Sequence, residues 1–349
     1  MNYFRQFNKK IIAFNKIHLD RVIKFSIVTF LLLLLPYPNI YFYQVKKGDQ
    51  VFLPQDISLP EPPPYPVNKN ISEPPKLSTA GIYILDIPSN ALLYEKNSKE
   101  RFFPASTTKI MTALVALDHY KLDDVLTVKT VINEERKMGL ISGEQLTFES
   151  LLYGSLVHSA NDASYTIAEN YPNGVENFVS MMNKKAAAFG LADTHFTNPI
   201  GFDDPDNYTT AADLAKLARV AIANKVFAKM VATKAITVSD VSYTYFHPLT
   251  NVNELLGKVA GVSGIKTGFT QTAGEVLVSE VKKNGNNVLF VVLRSNDRFG
   301  ESEKLIDWVF ENFTWKPISE ITPQGFTPAT DYQLPEDKPQ NYYPLQKQI

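Results

Sequence analysis

The sequence predicts a mixed α/β (α+β) protein, an antiparallel sheet of about five strands flanked by helices, with a largely helical subdomain inserted in its middle. Three observations carry that expectation. Two short strand patterns open the folded part, a long block of helical patterns follows, and three more strands with one final helix close it. A sheet drawn from both ends of a segment leaves everything between them to form the insertion.

The opening strands are Ala80-Gly81-Ile82-Tyr83-Ile84-Leu85-Asp86 and Ala91-Leu92-Leu93-Tyr94-Glu95, joined at Pro88-Ser89-Asn90 as a hairpin. A helix is expected after Pro104, because Ile110, Ala113, Leu114 and Leu117 recur at helical spacing. Helical patterns then dominate to about Ala232, over residues 146–153, 162–170, 175–189 and 211–224. Three strands appear around 264–269, 276–282 and 288–294. Connections as short as Lys283-Asn284-Gly285-Asn286-Asn287 make them antiparallel. The last helix, 300–313, carries Leu305, Ile306, Val309, Phe310 and Phe313 on one face.

With 349 residues, 44% of them hydrophobic, the chain is long enough for a full core and two packed subdomains. A net charge of -1 without a basic patch in the body argues against nucleic acid as a partner. The absence of cysteine excludes thiol catalysis, thiolate zinc sites and disulfides. No H-E-x-x-H or paired ligand spacing points to a metal, and no cofactor is expected.

The N-terminus departs from neutrality, since Arg5, Lys9, Lys10, Lys16, Arg21 and Lys24 outweigh Asp20. An apolar run from Phe25 to Leu35 follows, and continuing through Ile40-Tyr41-Phe42-Tyr43 brings it to about twenty residues with aromatics at its far end. A cleaved signal peptide and an uncleaved signal anchor compete. Pro36-Tyr37-Pro38-Asn39 offers no small-x-small cleavage site, which favours the anchor. The expected organisation is a cytoplasmic basic segment (1–24), a membrane signal anchor (25–43) and a Pro-rich extracytoplasmic spacer (44–77). A folded domain (78–315) and an irregular Pro-rich tail (316–349) complete it. The spacer contains Leu59-Pro60-Glu61-Pro62-Pro63-Pro64-Tyr65-Pro66, which is expected to sustain neither helix nor sheet.

Three short motifs carry chemistry. Ser106-Thr107-Thr108-Lys109 places a hydroxyl and an ammonium three residues apart at the start of a helix, on one face and within mutual reach. Lys109 can take the serine proton once burial or a second cation lowers its pKa, and Lys266 is a candidate for that cation. Taken alone, Ser106 reads as a helix cap and Lys109 as a solvated side chain. Ser159-Ala160-Asn161 lies between two helical patterns, where the hydroxyl can relay a proton to a leaving amine and the amide can hold a carbonyl. Lys266-Thr267-Gly268 sits on an extended segment and offers a cation and a hydroxyl to a carboxylate, with Gly268 allowing close backbone approach. It is no phosphate loop, because Ala260 and Ile265 stand where glycines belong and a strand follows.

Chance alone yields about one S-x-x-K in a chain this long, and K-T-G in roughly one such chain in ten. Ser279 and Lys282 form such a copy within a strand pattern, where residues three apart face opposite ways. The ordered set is far rarer. It resembles the signature of penicillin-binding proteins and class A β-lactamases.

Longer strings resemble the low-molecular-mass D-alanyl-D-alanine carboxypeptidases of peptidase family S11. They are Pro104 to Ala113, Leu151-Leu152-Tyr153-Gly154-Ser155-Leu156, Ser159 to Ala163 and Gly264 to Thr270. Asn198-Pro199-Ile200-Gly201, Tyr208-Thr209-Thr210-Ala211 and Asn251 to Leu256 are similar to the family as well, so the resemblance covers about residues 78–314.

The resemblance implies the β-lactamase/penicillin-binding transpeptidase-like fold and a serine-type D-Ala-D-Ala carboxypeptidase acting on the peptidoglycan stem peptide, inhibited by β-lactam antibiotics. Ser106 is the implied nucleophile and Lys109 its base, with Ser159 and Asn161 completing the catalytic set. The backbone N–H groups of Ser106 and Phe269 are the implied oxyanion hole. Lys266, Thr267, Gly268, Phe269 and Arg298 are the implied substrate-binding residues. It also implies a single-pass protein of the bacterial cytoplasmic membrane with its catalytic domain outside.

Two departures matter: Ala212 stands before Asp213 where members often carry arginine, and neither a β-rich domain nor an amphipathic anchor fits the tail. A β-lactamase is disfavoured because Glu169-Asn170-Tyr171-Pro172-Asn173 has proline where an E-x-x-L-N motif needs leucine. A penicillin-sensing receptor or scaffold that acylates without turnover stays as the alternative. A Ser-His-Asp hydrolase lacks a G-x-S-x-G partner for His18, His119, His158, His195 or His247.

Overall fold

The computed structural model describes residues 21, 23–27, 30, 61–69, 72–133 and 135–321. The chain divides into two units, Met1–Pro60 and Glu61–Ile349. In the first, the described residues are helical and exposed. The expected anchor over 25–43 lies largely outside the described residues. Among those described, no helix is long and apolar enough to cross a membrane. The expected tail beyond residue 321 also lies outside them.

The second unit begins with β1 (Tyr65–Asn68), β2 (Gly81–Asp86) and β3 (Leu92–Lys96). A 3-10 turn over Ala105–Thr107 leads into α1 (Thr108–Leu117), followed by β4 (Val125–Thr127) and β5 (Gln145–Thr147). Then come α2 (Phe148–Leu156), α3 (Asn161–Asn170), α4 (Gly174–Ala188), α5 (Ala211–Ala223) and α6 (Lys225–Val231). The chain continues through β6 (Ala235–Ser239), β7 (Phe246–Thr250), β8 (Val262–Thr270), β9 (Gly274–Lys283) and β10 (Asn286–Ser295). It closes with α7 (Arg298–Asn312) and β11 (Phe313–Lys316).

Five strands form the main sheet in the order β3-β2-β10-β9-β8, every pair antiparallel. The early hairpin and the late strands meet where β10 pairs with β2, which is the sheet built from both ends that the sequence predicts. Alternation along β10 assigns its two faces. Val288, Phe290 and Val292 pack with Leu305, Ile306 and Val309 of α7, while Leu289, Val291 and Leu293 pack with the helical block that contains α1 and α5. All six strand residues are buried, so the sheet is covered on both sides. Each of the three α7 side chains contributes about 1.5–3 kcal/mol by leaving water. Ser279 and Lys282 of β9 do point apart, the first buried and the second exposed.

The spacer reading needs one correction. Tyr65–Asn68 forms a strand, antiparallel to β11 with Tyr65 opposite Lys316 and Pro66 opposite Trp315. Pro66 lacks an N–H, but in a two-stranded ribbon its nitrogen can face away from the partner. The first residue of the expected tail, Lys316, takes part in the same pairing.

The small pairs β4–β5 and β6–β7 have no counterpart in the sequence-based expectation. β4 and β5 have three residues each, too short for a period of two to register.

Candidate active site

Ser106 occupies the 3-10 turn ahead of α1, and its position is fixed by backbone on both sides. Ala105, just before it, has φ of 47°, a conformation that favours glycine, and Thr107 returns its N–H to Pro104 O at 3.2 Å. The strand that carries Lys266 and Thr267 packs directly on this turn. A Cβ on Gly268 would lie 2.9 Å from Ala105 Cβ and 3.0 Å from the Ser106 nitrogen, so a side chain there would push β8 off the nucleophile. Gly201 closes the other side, where a Cβ would fall 1.9 Å from the Ala105 oxygen.

Lys109 is fully buried one turn further along. Its Nζ lies 3.0 Å from Ser106 Oγ, 2.7 Å from Asn161 Oδ1 and 2.6 Å from the Ile200 carbonyl oxygen. The two carbonyl oxygens can only accept. A neutral amine has two N–H bonds and one lone pair, so with both N–H bonds given to the carbonyls the lone pair faces Ser106. Burial lowers the Lys109 pKa to about 7, against the opposing pull of the Asp162 carboxylate. Ser106 is therefore not a helix cap, and Lys109 is not solvated.

Ser159 sits at φ 60°, and its Oγ accepts from Lys266 Nζ at 2.7 Å. Lys266 also donates to Thr267 O at 3.0 Å and is almost fully buried. Its pKa is lowered well below the usual lysine value by burial, then by the charges of Lys109, Arg298 and Arg136. Burial is the largest cause of the lowering at both lysines, and the charges of Lys109 and Lys266 disfavour one another. Ala212 leaves no arginine beside Asp213. Lys266 is held instead by a hydroxyl and a carbonyl.

Asn161 and Asp162 tie the preceding loop to the site. Asn161 donates its backbone N–H to Arg136 O at 2.7 Å and its side-chain N–H to Glu135 O at 2.9 Å. One amide hydrogen stays available for a substrate carbonyl. The Asp162 carboxylate accepts from the N–H groups of Met138, Gly139 and Leu140 at 2.9–3.1 Å.

Ser106, Ser159 and Asn161 border a cavity of about 390 Å³, together with Thr267, Gly268, Phe269 and Arg298. Phe269 is 54% exposed at its mouth, where it can cover a bound chain. Arg298 opens α7, and its Nη1 donates to Gly268 O at 3.0 Å while its backbone N–H reaches Glu275 at 2.7 Å. All nine residues singled out by sequence thus lie at or beside one cavity.

Two contributing loops were not assigned from sequence. The Ile200 carbonyl is aimed by a turn in which Asn198 Oδ1 accepts from Gly201 N at 2.7 Å and Phe202 N at 3.0 Å, and the Asn-Pro-x-Gly string was its signal. Glu135 and Arg136 lie in an aperiodic loop that carries no such signal.

Comparison with known proteins agrees with this geometry. Residues 68–297 match the family described as D-alanyl-D-alanine carboxypeptidase, peptidase S11. The chain is 33% identical over 245 residues to the D-alanyl-D-alanine carboxypeptidase DacF of Bacillus subtilis, covering 67% of this chain and 63% of that protein. It is 33% identical over 257 residues to the D-alanyl-D-alanine carboxypeptidase of a Streptomyces species, covering 68% of this chain and 88% of the relative. The match thus spans less than two thirds of the Bacillus protein. The crystal structure of the Streptomyces K15 DD-transpeptidase superposes with a TM-score of 0.65 at 32% identity, over 69% of this chain and 100% of the other.

Proposed function

The chain belongs to the D-alanyl-D-alanine carboxypeptidase family, peptidase S11, and from that premise we propose that it removes the terminal D-alanine from peptidoglycan stem pentapeptides. The observation that carries this is the three-partner environment of Lys109, which turns a neutral amine toward Ser106 beside a cavity bordered by Arg136 and Arg298.

The reaction follows from the contacts. A terminal carboxylate enters between Thr267 and Arg298, and its charge relieves the repulsion around Lys266. Ser106 Oγ attacks the carbonyl between the two D-alanines and gives its proton to Lys109 Nζ. The N–H groups of Ser106 and Phe269 stabilise the tetrahedral oxygen, each by about 3 kcal/mol. Collapse breaks the C–N bond, and the departing amine takes the proton that Lys109 had accepted, relayed by the Ser159 hydroxyl that Lys266 holds in place, so that Lys109 is neutral again. Water, deprotonated by Lys109, then attacks the ester, and Ser106 leaves with a proton as the shortened peptide is released. A β-lactam follows the first half of this course and remains attached, which accounts for inhibition by penicillin.

The membrane reading rests on the basic and apolar pattern of residues 5–43, and it makes the protein a wall-facing enzyme. On that reading residues 1–24 are cytoplasmic, 25–43 an anchor and the stretch up to β1 a spacer.

Mass spectrometry of a muropeptide pentapeptide incubated with the protein tests the activity. Loss of one alanine with wild type and none with Ser106→Ala is expected. A stable penicillin adduct on Ser106 without any peptide turnover would make the protein a receptor instead.

A further inference from the structure

We propose that Arg136 is a second carboxylate-recognising residue of this cavity, facing Arg298 and gripping the substrate's terminal carboxylate from the opposite wall. The inference rests on the carboxypeptidase reading and adds a residue to it.

Arg136 borders the cavity, and its guanidinium has no carboxylate or hydrogen-bond partner among the described residues. Its backbone lies at φ 60°, in the region that disfavours side chains. That backbone is fastened rather than loose. Asn161 holds the carbonyls of Arg136 and Glu135, and Asp162 holds the next N–H groups at Met138, Gly139 and Leu140. Five hydrogen bonds from two consecutive residues therefore set where the arginine stands.

Its charge is felt across the cavity, since it lowers the pKa of both Lys266 and Arg298. Arg136, Arg298 and Lys266 repel one another, Glu275 and Glu254 offset part of that at Arg298, and a carboxylate placed among the three relieves the rest. Arg298 already spends Nη1 on Gly268 O, so it offers an incomplete fork for a carboxylate. A second guanidinium from the facing loop supplies the missing donors. The same chemistry would take a side-chain carboxylate at the third residue of the stem, and the substrates below separate the two sources.

The test uses the full-length protein, wild type, Arg136→Gln and Arg136→Lys, with three peptides. One is diacetyl-lysyl-D-Ala-D-Ala, one the same with a C-terminal amide, and one carries diaminopimelate in place of lysine. Arg136→Gln is expected to reduce the kcat/KM preference for free acid over amide about tenfold, through KM, with partial rescue by Arg136→Lys. A loss confined to the preference for diaminopimelate over lysine would overturn the terminal assignment in favour of the side-chain carboxylate. Equal losses on all three peptides, or none, would overturn both.

Should wild type turn over no peptide, the carboxypeptidase reading fails by itself. Acylation by labelled penicillin, which bears its own carboxylate, then decides for Arg136. A slower second-order rate in Arg136→Gln sustains the inference, and an unchanged rate ends it.

Discussion

Lys109 Nζ and the Ile200 carbonyl oxygen lie 2.6 Å apart, so a buried amine is held by a neutral loop oxygen rather than by a carboxylate. A carboxylate in that place would keep the lysine charged. With its pKa lowered to about 7, Lys109 is neutral above that value and protonated below it. Acylation of Ser106 should therefore rise with pH through about 7 and fall roughly tenfold for each unit below. Stopped-flow acylation by a chromogenic β-lactam between pH 5 and 9 measures this. A flat profile would contradict Lys109 as the base.

Gly268→Ala should separate β8 from the nucleophile turn. The added methyl meets Ala105 Cβ and the Ser106 nitrogen at 3.0 Å or less, both in buried structure that cannot swing aside. A cost of about 1–3 kcal/mol in urea denaturation is expected. Penicillin acylation should slow at least about tenfold, because the oxyanion donors move apart.

Asp162→Asn exchanges a carboxylate that accepts three loop N–H groups for an amide with one acceptor oxygen. The expected destabilisation is about 2–3 kcal/mol. Asp162 also raises Lys109, so its neutralisation should move the midpoint of the acylation profile downward in pH. A midpoint moving upward would refute this coupling.

Glu301 supplies a separate pH test away from the chemistry. Burial alone would raise its pKa, but hydrogen bonds from Ser295, Thr79 and Ser78 hold it down to about 2. A depressed carboxylate stabilises the fold above its unfolded value of 4.5, and that contribution disappears as pH falls from 4.5 toward 2. Glu301→Gln should be less stable than wild type by about 1–3 kcal/mol at pH 7. The gap should close toward pH 2, as thermal melts in a pH series would record.

What could be read from the sequence was what local periodicity encodes. The three-residue spacing of Ser106 and Lys109 and the alternation along Val288 to Leu293 are each complete within a few positions. Their neighbours in space followed once the motif order was recognised. Pairings between distant short segments were not legible, and Tyr65–Asn68 against Phe313–Lys316 is the plain case. Each strand has four residues, and Pro66 argues against sheet until its partner is known. Arg136 was hidden for another reason. It owes its place to hydrogen bonds from residues some 25 positions later, which leave no pattern in its own loop.

The ribbon of β1 and β11 also has a mechanical side. Because Tyr65 pairs with Lys316, the polypeptide enters and exits this ribbon at one point. A pull on either flank loads the first rung alone, then the next, as a zipper is opened, instead of straining all four together. Tension arriving along either flank would thus meet a weak, graded link before it reaches the sheet that bears Lys266. The ribbon can give way rung by rung while the five-stranded sheet keeps its register.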